Sequence, residues 1–422
     1  MSKKKKGVIS LLVLLSLALV IVVVAMYLLT PFFQPRSGPS SDHDEAENTP
    51  IVTNHNISNQ TGVTNMIPTT IDIVSSSSAF PFVQRWVAQY ENQQLASSVD
   101  LNVDYLTDEE IIAAEGGGTS RRDLAIVGLV EQKNSSILYV PLSAQAVAIV
   151  YNIPSFPDIP SGLRLNSTML LSIFNGSITQ WDDAAIKELN PSLNLPHERI
   201  VVVHTEEDDT NQSSNSSSQL LLDQYFGLHS LSWPKNDSIT TQGPAELAET
   251  VRKIPYSIGY VDFSYAVQTR MTYAAIGAAD GNYSVPSMQS IARAVDVALQ
   301  FYNSSTVGSS PSSSISSIQQ KQQQQQLPPT INTSRIVSDA YPIVGLYYAS
   351  LLANDSTDDN SDKIEEQRVN AIVIDFVEWL ISETGGQQTL LEVQYPPIYS
   401  NNEQLATYAM TTMDKIKNYL TR

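Results

Sequence analysis

The sequence predicts an α/β fold built from two lobes, behind an N-terminal membrane-spanning helix. The chain has 422 residues, too many for one hydrophobic core, so two lobes or domains are expected. Short apolar runs rich in β-branched residues alternate with segments of helical periodicity, which is typical of βαβ units and a largely parallel sheet. The third observation is a long apolar run close to the N-terminus.

The N-terminal segment has the pattern of a signal anchor. Residues 1–7 form a basic tail, and residues 8–29 are apolar apart from Ser10 and Ser16. A helix of these 22 residues spans roughly 33 Å, enough to cross a bilayer, and a cleaved signal peptide, whose apolar core is usually about 7–15 residues, is the alternative. We expect a cytosolic N-terminus and an extracellular or lumenal C-terminal domain, because the lysines precede the span. Residues 30–66, rich in Pro, Ser, Asp and Asn, predict a flexible stalk.

The charge balance and the residue composition exclude several classes of partner. The chain has 24 basic and 43 acidic residues and a formal net charge of −19, so it lacks a basic stripe to neutralise nucleic-acid phosphates. There are no cysteines, and no two of the five histidines show metal-ligand spacing. We therefore expect no nucleic-acid partner, no metal and no other cofactor. A small anion is not excluded, since a buried site acts through local dipoles.

Asn-x-Ser/Thr sequons are frequent beyond the predicted membrane span. All of them lie on the side that the topology places outside the cytosol, which indicates a glycosylated ectodomain in a eukaryote. The sequons are at Asn56, Asn59, Asn134, Asn166, Asn175, Asn211, Asn215, Asn236, Asn282, Asn303, Asn332 and Asn354.

The folded region is expected to begin near Ile67. Its first three strands are predicted at residues 71–74, 101–105 and 124–128. A capping box, Thr107-x-x-Glu110, marks the start of a helix after the second strand. In parallel sheets ligands bind beyond the carboxyl ends of strands, at helix N-termini, so these junctions are the natural place for a site.

The segment 200–226 is the most informative strand-loop-helix unit. An apolar β-branched run at residues 200–203 predicts a buried strand, and a polar loop follows it. Ser216 and Gln219 fit a capping box ahead of three leucines, which predicts a helix N-terminus. Such a unit aims backbone N–H groups at a cleft and favours an anion, although an ordinary βα connection with a solvated acidic loop explains the same pattern.

The last third of the chain combines a low-complexity segment with helices. Residues 304–333 are rich in Ser and Gln and predict a disordered surface insertion. Residues 355–362 form a smaller acidic loop without the spacing of an EF-hand calcium loop. Helices are predicted at residues 368–382 and 404–419.

Four motifs resemble the phosphate-binding proteins of bacterial phosphate ABC transporters. The first covers residues 173–191 and keeps the pattern I-F-x-G-x-I-x-x-W-x-D followed by I-x-x-L-N-P. Residues 255–266 look like the pattern P-G-x-I-G-Y-V-E-Y-x-Y-A. Residues 78–81 with Trp86, and residues 340–343, are similar to the family's A-T-F-P with W and to its W-P-I. The order is preserved over roughly residues 67–420.

The resemblance implies a type II periplasmic-binding-protein fold, with a ligand buried between two lobes. Lobe one would comprise residues 67–147 and 334–422, and lobe two residues 148–303. The chain would cross between them near residues 144–151 and near the low-complexity insertion.

The same resemblance implies positions for ligand residues, where the chain departs from the family. Ala79 stands at a threonine of the family, and Phe80 is kept. Only Thr107 could supply a hydroxyl at the second helix. An aspartate that accepts a phosphate proton falls on Gly128.

The family's R-S-D-G-S-G-T-T segment admits two alignments. Without a gap, its arginine falls on Thr205 and its S-G-T on residues 209–211. With an insertion, Ser216, Ser217 and Ser218 take the place of S-G-T. The arginine is missing in both alignments.

Two functions remain open from the sequence. The first is a membrane-anchored, outward-facing protein that binds a small anionic or polar solute, phosphate being one candidate. The second is a degenerate ectodomain that binds no solute and serves as a receptor or structural surface protein. An enzyme is not expected, because the chain has no Gly-x-Ser-x-Gly elbow, no metal cluster and no Cys nucleophile. The partners expected are a small-molecule ligand and the membrane, and no protein partner is identified.

Overall fold

The computed structural model describes residues 69–93, 99–115, 122–128, 137–154, 156, 162–205, 217–227, 232–234, 238–300, 328–337, 339–352, 363–400 and 402–421. The chain divides into two compact units, Met1–Thr64 and Asn65–Arg422, and all described residues belong to the second. The predicted tail, membrane span and stalk (residues 1–66) therefore lie outside the described residues. None of the helices in the described ranges is both long and apolar enough to span a membrane.

The unit contains thirteen strands and eleven α-helices in the described ranges. The strands are β1 (Thr69–Ser76), β2 (Val99–Leu106), β3 (Leu124–Val127), β4 (Ile137–Asn152), β5 (Arg164–Leu165), β6 (Val201–Thr205), β7 (Ser238–Thr241), β8 (Ser257–Asp262), β9 (Ala275–Gly277), β10 (Tyr283–Ser284), β11 (Leu299–Gln300), β12 (Thr330–Ile331) and β13 (Val344–Leu352). The helices are α1 (Phe80–Gln93), α2 (Asp108–Glu115), α3 (Ser167–Phe174), α4 (Ala184–Leu189), α5 (Ser217–Phe226), α6 (Pro244–Lys253), α7 (Phe263–Gln268), α8 (Met288–Ala298), α9 (Lys363–Ile381), α10 (Gly386–Leu390) and α11 (Glu403–Leu420).

Eight strands form one sheet in the order β2-β1-β3-β13-β4-β8-β6-β7. The flanks are parallel, as the pairs β1–β2, β1–β3, β6–β7 and β6–β8 show. The pairs β3–β13, β13–β4 and β4–β8 are antiparallel. The prediction of a largely parallel sheet is therefore wrong at its centre, where β4 and β13 run antiparallel to each other and to their outer neighbours. Patterning along single strands indicates burial but not the direction of the neighbouring strand.

The strand β4 joins the two flanks because it changes partner along its length. Ile137 to Ala146 pair with β13, and Val147 to Asn152 pair with β8. Tyr341, just before β13, donates its hydroxyl to the Val147 carbonyl at 2.7 Å. We call β2, β1, β3 and β13 the first strand group and β8, β6 and β7 the second strand group.

The predicted insertion at residues 304–333 extends too far. Its end is ordered, since Thr330 and Ile331 form β12 and pair antiparallel with β11. The physical reason is burial: Ile331 is 4% exposed, and the Pro329 carbonyl accepts a hydrogen bond from the Tyr348 hydroxyl at 2.5 Å. Residues 301–327 and the acidic loop at 355–362 lie outside the described residues.

The C-terminal elements hold the first half of β4 through side chains. Gln387 in α10 is buried and donates to the carbonyls of Leu142 at 2.8 Å and Leu380 at 3.0 Å. Its amide oxygen accepts from the Ile398 N–H at 3.0 Å. One side chain therefore satisfies three backbone groups around the shared strand.

Replacing Gln387 by Leu is expected to lower the free energy of unfolding by about 3 kcal/mol, because buried backbone groups lose their partners. The matched control is Gln388→Leu, the same change at the exposed neighbour in α10, which should stay within about 0.5 kcal/mol of wild type. Urea denaturation of the two variants measures the difference. Equal losses would contradict the role given to Gln387.

Candidate functional site

The junctions at the ends of the first strand group meet the start of α5, the helix that follows β6. Parallel strands β1, β2 and β3 end at one edge of the sheet, so the residues that follow them are neighbours. We call the polar groups that converge there the junction cluster. It consists of Ser76, Ser78, Asp108, Gly128, Gln145, Ser217 and Tyr347.

Ser217 connects the two strand groups within this cluster. Its hydroxyl lies 2.9 Å from that of Ser78, 139 residues earlier in the chain, and accepts from the Gln145 amide at 2.5 Å. Ser217 is 1% exposed. Gln145 is fully buried and belongs to β4, two residues before this strand begins to pair with β8. The contact therefore lies where β4 passes from one strand group to the other.

Asp108, the first residue of α2, lies on the other side of the cluster. Its carboxylate accepts from the Gly128 N–H at 2.6 Å and from the Ser76 hydroxyl at 2.9 Å. The side chain is 2% exposed. The cap of α2 is made separately, since Thr107 and Glu110 form the predicted capping box at 2.8–3.2 Å. The Asp108 carboxylate therefore binds across to the ends of β1 and β3.

Gly128 has no room for a side chain. An added Cβ would lie 3.0 Å from the Ser217 Cβ, 3.1 Å from the Gln145 Oε1 and 3.3 Å from the ring of Tyr347. The backbone of the β3 end therefore comes into direct contact with all three groups. The glycine permits this close approach.

Two buried polar atoms at or beside the cluster make no hydrogen bond. They are the Gln145 Oε1 and the Oδ2 of Asp262, the residue that ends β8. Burial raises the pKa of Tyr347 well above its ordinary value, the negative charges of Asp262 and Asp108 raise it further, and hydrogen bonding with Ser78 and Ser217 acts in the opposite direction. Buried polar groups without partners are uncommon in native proteins, and they mark places where a ligand or water binds.

Asp262 is a second buried carboxylate. Its Oδ1 caps α7 by accepting from the Ser264 N–H at 2.8 Å and hydroxyl at 2.7 Å, and from the Tyr395 hydroxyl at 3.0 Å. Burial raises the pKa of Asp262 to about 6, although these hydrogen bonds act in the opposite direction. Tyr395 packs against Tyr347 with ring centroids 6.3 Å apart, which connects Asp262 to the cluster.

The structure brings some of the predicted ligand residues together and not others. Gly128 and Ser217 lie in the cluster. Ala79 is fully buried beside it, whereas the Phe80 ring is 43% exposed and packs on Tyr105. Thr107 is exposed, and its hydroxyl is used by Glu110.

The predicted residues of the β6–α5 connection divide in the same way. Thr205 bonds the Tyr260 hydroxyl at 3.0 Å, a partner outside the cluster. Ser218 is buried in the first turn of α5. Ser216 lies outside the described residues.

Sequence reasoning missed Asp108, Gln145 and Tyr347, together with the individual roles of Ser76 and Ser78. The serine run at residues 75–78 carried a signal, because hydroxyl residues at a strand end are expected near a ligand. Asp108 was missed because the capping box beside it already explained that part of the sequence. Gln145 and Tyr347 lie within β4 and β13, where the sequence shows only apolar strands with an isolated polar residue.

The described part of the chain contains no group of three or more His, Asp or Glu residues that could hold a metal ion. The cluster instead offers hydroxyls, an amide, a backbone N–H and one carboxylate. These groups recognise a small polar molecule by hydrogen bonds.

The raised pKa of Asp262 predicts a pH-dependent stability. A carboxyl whose pKa is higher in the folded chain stabilises the fold at low pH, and this contribution is lost as the pH rises through about 6. Relative to wild type, Asp262→Asn should gain about 2 kcal/mol in unfolding free energy between pH 4 and pH 7. Denaturation across this range measures it.

The control for this measurement is Asp183→Asn, the same change at the partly exposed N-cap of α4. Any pH dependence that both variants share is not assigned to Asp262. If the difference between Asp262→Asn and wild type did not change between pH 4 and pH 7, the raised pKa of the buried Asp262 carboxyl would be contradicted.

The chain is similar to several proteins of known class. It is 24% identical over 380 residues to the phosphate-binding protein PstS of Methanocaldococcus jannaschii, covering 83% of this chain and 87% of that protein. It is 27% identical over 233 residues to the PstS of Xylella fastidiosa, covering 52% of this chain and 60% of that protein. Both are named for binding and not for catalysis, in agreement with the non-enzymatic class expected from the sequence.

A solved structure supports the fold. A high affinity periplasmic phosphate-binding protein (PfluDING), determined with bound phosphate, matches with a TM-score of 0.51 and 14% identity, over 82% of this chain and 93% of that one. At this identity the likeness shows a shared mixed α/β fold. The resemblance found in the sequence motifs is confirmed, and the family model described as the PBP superfamily domain matches residues 58–384. The chain therefore belongs to the family that this model describes, the PBP superfamily domain.

Proposed function

We propose that this chain is a membrane-anchored, outward-facing solute-binding protein. It holds one small polar solute in a cleft between two lobes, residues 67–147 with 334–422 and residues 148–303. The observation that carries the proposal is the hydrogen bond between Ser78 and Ser217. It joins the end of β1 to the start of α5, and both groups lie at strand-to-helix junctions, where binding proteins of open α/β sheets hold their ligands.

The position of Gln145 supports a cleft between lobes. A strand that pairs with two strand groups in turn is a natural hinge, since a small change in its backbone angles reorients one group against the other. Ser217 and Ser78 come from opposite sides of this hinge. A solute that bonds both hydroxyls favours the closed arrangement by its differential affinity for it.

Phosphate is one candidate because the relatives named above are phosphate-binding proteins. Other small polar solutes fit the same hydroxyl and amide groups. The second candidate function, an ectodomain that binds no solute, is favoured by one observation. Asp108 already accepts hydrogen bonds from two donors that a ligand would otherwise use.

The proposed topology gives the sequons a role as glycan acceptors. Four of them fall in the described residues. Asn175 and Asn282 are exposed, Asn332 is half-buried, and Asn166 is half-buried while its Oδ1 caps α3 through the Met169 N–H at 2.9 Å. Asn175 is the clearest acceptor, since its Oδ1 binds the Ser177 N–H and its amide nitrogen lies on an exposed residue.

Calorimetry tests solute binding. The full-length chain is titrated with phosphate, sulfate and a panel of uncharged polar metabolites, and one of them should bind with a Kd below about 1 mM. Ser217→Ala should weaken that binding about fivefold, the value of one neutral hydrogen bond. The exposed Ser232→Ala is the control. No binding of any solute would favour the non-binding ectodomain, and unchanged binding in Ser217→Ala would remove the site from the cluster.

Glycosidase treatment tests the topology. Expressed in a eukaryotic host, the chain should migrate faster on a gel after peptide N-glycosidase treatment, and Asn175→Gln should remove one glycan. Asn194→Gln, a change at an exposed asparagine outside any sequon, should leave the migration unchanged. A chain unaffected by the glycosidase would contradict the outward-facing C-terminal domain.

A further inference from the structure

We propose that the Asp108 carboxylate acts as a built-in anion, which occupies the Gly128 N–H and the Ser76 hydroxyl and makes the site reject phosphate in favour of uncharged, hydrogen-bond-donating solutes. This inference rests on the proposed function and names its substrate class. Asp108 would then be the specificity-determining residue of the site.

Two hydrogen-bond donors of the junction cluster bind Asp108. The Gly128 N–H at the end of β3 and the Ser76 hydroxyl at the end of β1 are the kind of groups that bind an oxyanion at a strand-to-helix edge. Both already donate to Asp108, at 2.6 Å and 2.9 Å. With Asp108 98% buried, the two carboxylate oxygens take the place that two oxygens of a bound anion would take.

The helix α2 holds this carboxylate in position. Asp108 is the first residue of the helix, where the macrodipole favours a negative charge. Thr107 and Glu110 close the cap without it. The carboxylate is therefore stabilised in position, and its oxygens point to other elements. This arrangement makes the carboxylate a permanent acceptor inside the cluster and not a transient one.

Two buried acceptors remain without a hydrogen-bond donor, the Gln145 Oε1 and the Asp262 Oδ2. Gln145 is fully buried, and its Oε1 would lie 3.1 Å from a Cβ added at Gly128, which places this oxygen inside the cluster. Neither oxygen is bonded to Asp108, and a ligand that brings donors would satisfy both.

The charge of the site also disfavours an anion. A ligand in the cluster lies beside the Asp108 carboxylate, and a second carboxylate, Asp262, is linked to the cluster through Tyr395, which packs against Tyr347. A phosphate dianion would add like charge in a poorly hydrated place and would bring acceptors to face acceptors. An uncharged solute with hydroxyl or amide donors would satisfy the Gln145 and Asp262 oxygens without repulsion.

The test is titration of the full-length chain with inorganic phosphate at pH 8. Asp108→Asn keeps the shape of the side chain but removes its charge and one acceptor, and it should bind phosphate at least tenfold more tightly than wild type. Asp108→Ala, which frees both donors, should show the same direction. Glu110→Gln is the matched control, because it removes one charge from the exposed first turn of α2 and keeps the capping box.

The outcomes separate this inference from the proposed function. If wild type binds phosphate with a Kd below about 0.1 mM, solute binding stands and the inference is overturned, whether or not the variants fold. If both Asp108 variants keep the wild-type circular dichroism and neither gains affinity, the inference is likewise overturned. A gain in Asp108→Asn and not in Glu110→Gln supports the inference, even where wild type binds no solute of the calorimetric panel.

Discussion

The arrangement of the unit depends on one strand that hydrogen-bonds to two partners in turn. The change of partner between Ala146 and Val147 in β4 requires the two strand groups to lie side by side in a single sheet. Tyr341 and the C-terminal Gln387 hold the two halves of this strand through its carbonyls. Because backbone groups in a buried strand must all be paired, these side chains are structural requirements of the crossing.

The junction cluster follows from this geometry. The carboxyl ends of β1, β2 and β3 face the start of α5, and the polar residue that β4 contributes, Gln145, lies just before its change of partner. The Gln145 Oε1 in the cluster and the Asp262 Oδ2 beside it are buried acceptors without a hydrogen-bond donor. Unpaired polar groups cost far more inside a protein than in water. A solute that brings donors to these two oxygens would remove this cost.

The motifs that reveal the family are structural, which explains why the fold was predictable and the chemistry was not. Trp181 donates to the Tyr256 carbonyl at 2.9 Å, and Asn190 bonds both backbone groups of Arg164 at 2.7 Å and 2.9 Å. Gly176 has a positive φ of 78°. Such residues are determined by local geometry and are readable from a single sequence.

The site was only partly predictable, because its residues come from six separate segments of the chain. Gly128 and Ser217 were identified from the resemblance. Thr107 and Thr205 were assigned by position, but their hydroxyls bond Glu110 and Tyr260 instead. The partners of Asp108 and Gln145 depend on how β3 and α5 approach β4, which a residue pattern along one strand does not encode.

The most direct measurement of the central claim is a crystal structure of the Asp108→Asn variant grown in the presence of phosphate. We expect a phosphate in the junction cluster, with its oxygens within hydrogen-bond distance of the Gly128 N–H and of the Ser76 or Ser217 hydroxyl. A phosphate bound elsewhere, or a cluster that stays closed around the substituted side chain with no ligand, would contradict both the placement of the site and the role of Asp108.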